Sequence, residues 1–169
     1  MNQKATAIIY TSNTGHTKAF AELLGERSGL PVYELKAAMK DCPAGTPIIY
    51  MGWLMAGSVK GFKDAAKRFD VKALCAVGMA GGDGQKAGIV KACGLPAEVP
   101  VFVLQGGFEL DKLSGLYKMM MKTMKNTVGK KLAAKPDKTA EEMDMLDLFE
   151  NGGSRVSAEQ LEPVLAWLG

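Results

Sequence analysis

Residues Ala5–Leu24, "ATAIIYTSNTGHTKAFAELL", run from a branched apolar segment through a hydroxyl-rich loop into a helical pattern. The apolar segment is short and unalternated, as in a strand covered on both faces. Thr11, Ser12, Thr14 and Thr17 put four hydroxyls in seven residues, with Asn13, Gly15 and His16 among them. A loop leaving such a strand and opening a helix turns its free N–H groups toward the carboxyl edge of the sheet, where the helix dipole favours an anion. One hydroxyl suffices for a helix cap. Four in this position point to a phosphate monoester, with Gly15 giving the backbone close approach.

Working outward, "PIIYMG", "ALCAVGMA" and "VPVFVLQGG" repeat the strand signature, and "PVYEL" adds a short second strand. Helical patterns "VKGFKDAAKRF" and "QKAGIVKACG" alternate with them. The order predicts a parallel sheet with right-handed crossovers, helices on both faces and a crevice at the carboxyl ends of the strands. With 169 residues, 47% hydrophobic and 23% charged, one domain over 1–169 is expected. The tail from Pro136 reads as two helices, "DKTAEEMDMLDLF" and "SAEQLEPVLAWLG", around the turn "ENGGSR".

The segment Ser12-Asn13-Thr14-Gly15-His16-Thr17 resembles the flavodoxin phosphate loop, [T/S]-x-T-G-x-T. The resemblance extends through the strand and helix order from Lys4 to about Leu104. It implies a flavodoxin-like α/β three-layer sandwich, with a five-stranded parallel sheet in the order 2-1-3-4-5, and flavin mononucleotide (FMN) held through its phosphate by Thr11–Thr17. The loop Trp53-Leu54-Met55-Ala56-Gly57 is similar to the one that packs on the flavin ring and sets a peptide at its N5, the role that falls to Gly57. Ala80-Gly81-Gly82-Asp83 resembles the segment that meets the pyrimidine edge. Many flavodoxins carry an aromatic beside this last segment, where this chain has Gly82 and Gln85; one ring face is then expected to be open. Neither G-x-G-x-x-G nor G-x-x-x-x-G-K-[ST] occurs at the first turn, against a dinucleotide or Walker-type site.

After the last strand, Leu113, Leu116, Tyr117, Met120, Met121, Met124 and Val128 recur at helical spacing, with Lys118, Lys122 and Lys125 opposite. This basic helix over 113–131 is expected to lie on the sheet with a solvated lysine face, or to meet an anionic membrane surface or an acidic partner. "GG" before a Met-rich basic helix is similar to flavodoxin-fold protoporphyrinogen oxidases. The resulting expectations are an electron carrier with a redox partner protein or a small-molecule donor or acceptor, an FMN-dependent oxidoreductase of the protoporphyrinogen or quinone type, or a non-redox module for another phosphate ligand. His16, the one histidine, lacks a nearby acidic or cysteine partner in sequence, so no catalytic side chain and no metal site are expected. Glu141, Glu142, Asp144 and Asp147 read as a solvated acidic face. Cys42, Cys75 and Cys93 suit neither a zinc motif nor a disulfide framework, and no apolar leader precedes the first strand, so a cytoplasmic location, peripheral at the membrane through the basic helix, is expected. The net charge of +3 gives no basis for nucleic-acid binding.

Overall fold

In a computed structural model describing residues 4–169, strands β1 (Ala7–Thr11), β2 (Val32–Glu34), β3 (Pro47–Met55), β5 (Asp70–Gly78) and β6 (Val101–Gln105) form the parallel body of a sheet. A sixth strand, β4 (Ser58–Val59), returns antiparallel along the end of β3. The sheet order is therefore β2-β1-β3-β5-β6 with β4 on β3, and the expected count of five strands in the order 2-1-3-4-5 is corrected by this extra piece. Its cause is a two-residue turn at Ala56 and Gly57, both with positive φ (49° and 80°), the geometry that matches strand twist in a tight hairpin.

Alternate residues of the central strands serve opposite layers, as strand geometry requires. Ile9, Ile48, Tyr50 and Leu74 face α2 (Leu35–Asp41), α3 (Phe62–Arg68) and α4 (Lys86–Cys93), meeting Ala38, Phe62, Ala65 and Ile89. Ile8, Ile49, Met51 and Cys75 face α1 (His16–Ser28) and α7 (Glu162–Leu168), meeting Phe20, Leu24 and Val164. Each large apolar side chain buried in this way contributes roughly 1.5–3 kcal/mol. The result is an α/β architecture with helices on both faces of a mostly parallel sheet.

A third, smaller core stands apart from these layers. Phe108 of β7 (Gly107–Phe108) packs on Leu148 and Phe149 of α6 (Ala140–Asn151) and on Met121, Met124 and Leu132 of α5 (Gly115–Ala134). β7 pairs antiparallel with β8 (Gly153–Ser154), and Arg155 N donates to Gly106 O at 2.7 Å. The helix expected over 113–131 thus spans Gly115–Ala134, and it does not lie on the sheet. Among its residues only Gly129 is buried; Leu116 and Met119 are each 67% exposed.

The acidic residues of α6 are more engaged than a solvated face would be. Asp144 accepts from Arg155 Nε at 2.9 Å and also from the Gln105 amide, while Asp147 accepts from the Arg155 guanidinium at 2.6 Å. Glu142 caps its own helix with Thr139 and pairs with Lys135 at 2.7 Å. Glu141 and Glu150 have no such partner among the described residues. Among the described residues no helix is long and apolar enough to cross a membrane.

Candidate functional site

The direction of winding reverses at β1, which has β2 on one side and β3 on the other. A cleft of about 620 Å³ opens there, at the carboxyl ends of β1, β3, β5 and β6, within the usual range for small-molecule sites. Of the residues expected to hold a cofactor, Ser12, Asn13, Thr14, His16, Thr17, Trp53, Leu54, Met55, Ala56, Gly57 and Ala80 line it. Thr11, Gly15, Gly81, Gly82 and Asp83 do not. Thr11 Oγ1 lies 2.7 Å from the buried Tyr50 hydroxyl, which donates to Lys60 O, so Thr11 donates inward to the tyrosine. The Asp83 carboxylate pairs with Lys86 at 2.9 Å.

The loop after β1 leaves the start of α1 free. Gly15 is the N-cap residue, at φ 99°, a conformation natural to glycine, and no side chain caps the helix. Ser12 Oγ instead accepts from Gly15 N at 3.2 Å, one position short of the helix. The N–H groups of His16, Thr17 and Lys18 therefore lack the partner that Ser, Thr or Asn ordinarily supplies, and His16 and Thr17 face the cleft. This donor set, backbone amides plus the Thr14 and Thr17 hydroxyls with no lysine, is the chemistry that holds a phosphate.

Two features here were hidden in the sequence. His16, 8% exposed, sets Nδ1 at 3.0 Å from Thr14 Oγ1 and Nε2 at 2.7 Å from Glu109 Oε2, although the latter contact is off the line of a good hydrogen bond. Burial holds the imidazole pKa below its ordinary value, partly opposed by Glu109. Burial would raise Glu109, but the ammonium of Lys112 at 3.0 Å and the imidazole outweigh it and keep the carboxylate ionised. Tyr117 is the second feature. Its ring meets Trp53 edge to face at 5.4 Å and lies 5.7 Å from Lys60 Nζ, so α5 supplies an aromatic wall that positions 82 and 85 lack. The only foretaste of either is the helical spacing that includes Tyr117; nothing local marks Glu109.

At the β5 edge, Gln105 Nε2 donates to Met79 O at 2.9 Å and Gln85 Nε2 to Ala80 O at 3.3 Å, fixing the loop that follows β5. The far end of the cleft is apolar, formed by Met120, Met121, Met124, Met145 and Phe149 under α5 and α6. Comparison with protein-family models, curated proteins and solved structures gives no significant match to this chain.

Proposed function

We propose that this chain is a flavodoxin-like redox protein that binds FMN in the cleft and transfers electrons. The observation that carries the reading is the uncapped N-terminus of α1, ringed by Ser12, Thr14 and Thr17 at the point where the sheet reverses its winding. Leaving β4 aside, the parallel strands follow the 2-1-3-4-5 winding of the flavodoxin-like fold, which supports the same reading. Thr14, Thr17 and the first amides of α1 would hold the phosphate. Trp53 to Gly57 and Ala80 would border the ring, whose reversible redox chemistry the protein would orient and shield from water.

A second reading is favoured by the apolar end of the cleft. A pure carrier needs only an exposed ring edge, whereas the space bounded by Met120, Met121, Met124 and Phe149 suits a bulky apolar reductant or oxidant beside the flavin, as in an FMN-dependent oxidoreductase of the protoporphyrinogen or quinone type. The exposed Leu116 and Met119, with Lys118 and Lys122 beside them, would let such an enzyme approach an anionic membrane surface.

The test is binding of FMN against riboflavin, followed by flavin fluorescence. FMN is expected to bind more tightly, and Thr14→Val or Thr17→Val to weaken FMN alone by about 1–3 kcal/mol each, roughly 5- to 150-fold, because the phosphate loses a donor while staying desolvated. Equal affinity for the two flavins removes the reading. Preference for another phosphate ester over FMN replaces it with a non-redox module.

A further inference from the structure

We infer that His16 is a positioning residue for the phosphate, its protonation deciding whether Thr14 turns a hydrogen or a lone pair toward the loop. The inference rests on the phosphate reading of that loop and concerns a contact within it, the 3.0 Å approach of Thr14 Oγ1 to His16 Nδ1.

The proton positions follow from the partners. Glu109 is ionised and can only accept, and a bare lone pair on Nε2 only 2.7 Å from its Oε2 would be repelled, so Nε2 carries the hydrogen even though the contact lies off the hydrogen-bond line. In the neutral imidazole Nδ1 is then a bare acceptor, and the Thr14 hydroxyl must donate to it. Thr14 thereby spends its only proton and presents oxygen lone pairs to an arriving phosphate, which is repulsive. Protonation adds a hydrogen at Nδ1, which donates to Thr14 Oγ1 and frees the threonine proton for the phosphate. The charge of the imidazolium also favours the anion.

The ring is held firmly enough for this to matter. It packs beside Gly106 and Gly107, where a Cβ at Gly106 would stand 2.9 Å from His16 Cβ and one at Gly107 3.1 Å from Nε2. The charges acting on it are Glu109 and Lys112, both from the segment after β7; Val77 of β5 and the two glycines bring none. Without ligand, burial keeps the ring predominantly neutral at pH 7, so the phosphate must draw in a proton. Coupling is reciprocal: if the protonated ring favours phosphate, phosphate raises the affinity of the ring for its proton.

Because the chain has one histidine, its imidazole can be followed without ambiguity by NMR through a pH titration. The free protein is expected to show the Nε2–H tautomer. FMN should raise the His16 pKa by about one unit, riboflavin should leave it in place, and the rise should shrink in Thr14→Val. In His16→Gln, the pH dependence of the preference for FMN over riboflavin should reduce to that of the phosphate itself. An Nδ1–H tautomer, or tight FMN binding with an unmoved His16 pKa, overturns the inference and leaves the phosphate site standing. Failure of FMN to bind at any pH overturns both.

Discussion

Ala56 is the one non-glycine residue with positive φ among those described, and it occupies the first position of a turn that favours Asn or Gly there. Holding an alanine in the left-handed region costs about 1 kcal/mol. Ala56→Asn, which creates the preferred Asn-Gly pair, is expected to raise stability by roughly 0.5–1 kcal/mol, read as a higher urea midpoint at unchanged slope. A lowered midpoint would mean that the side chain at position 56 is needed against a neighbour. At this scale the sequence was legible wherever chemistry is contiguous: Ser12, Asn13, Thr14, His16 and Thr17 follow one another in the chain and line one cleft together. Glu109 was illegible because its carboxylate reaches His16 only after six strands, β2 to β7, and the helices α2, α3 and α4 have folded between them. The β3–β4 hairpin escaped for a smaller reason, since Ala-Gly lacks the Asn-Gly signature of its turn.

Among the elements, the central strands carry an alkaline weakness. Complete burial on β5 pushes the Cys75 thiol up to about 12, and burial raises Tyr50 on β3 despite the hydrogen bond from Thr11. An unfolded thiol ionises near pH 8.5, so above that pH the unfolded chain releases a proton that the folded chain retains. The stabilising difference is intact below about pH 8.5 and is lost progressively as pH rises toward about 12. Cys75→Ala is expected to lower the urea midpoint at about pH 8 through a small cavity, yet to lose less stability than the native chain on going to about pH 10.5. Parallel profiles would acquit Cys75. The ion pairs of Arg155 with Asp144 and Asp147 make a separate expectation: Arg155→Ala should speed amide exchange in α6 and β8 while β1, β3 and β5 keep their protection. Uniform loss across the sheet would instead make Arg155 part of the global fold. Buried strands were readable from their apolar runs, and α2 was not, because Leu35 continues directly from β2 and no turn residue marks the change. The β7–β8 ribbon was equally hidden, being two residues paired with two from the far end of the chain.

For the whole molecule, α5 decides between the two redox readings. If the chain works at an anionic membrane, Lys118, Lys122 and Lys125 should each contribute about 1 kcal/mol near the surface. Co-sedimentation with anionic vesicles should then fall with salt and vanish when all three become Glu; no sedimentation of the native chain at low salt favours the carrier. The same helix was only half legible: its spacing announced an apolar face, but that face needs a floor, and the floor is a cleft and a separate small core rather than the sheet. With Gly129 its sole buried residue, α5 sits over the cleft like a shutter, held by the small core it shares with β7 and α6. If the cleft holds the proposed ligand and this shutter swings over it, equilibrium occupancy would belong to the loop after β1 and residence time to how often the shutter opens. Gly129→Ala should slow the swing: its Cβ would meet Phe149 at an ordinary 3.7 Å, and alanine steadies a helix interior by roughly 0.5–1 kcal/mol over glycine. Stopped-flow mixing should find ligand entry and escape slowed together while Kd holds, and a change in Kd alone would return the clock to the loop.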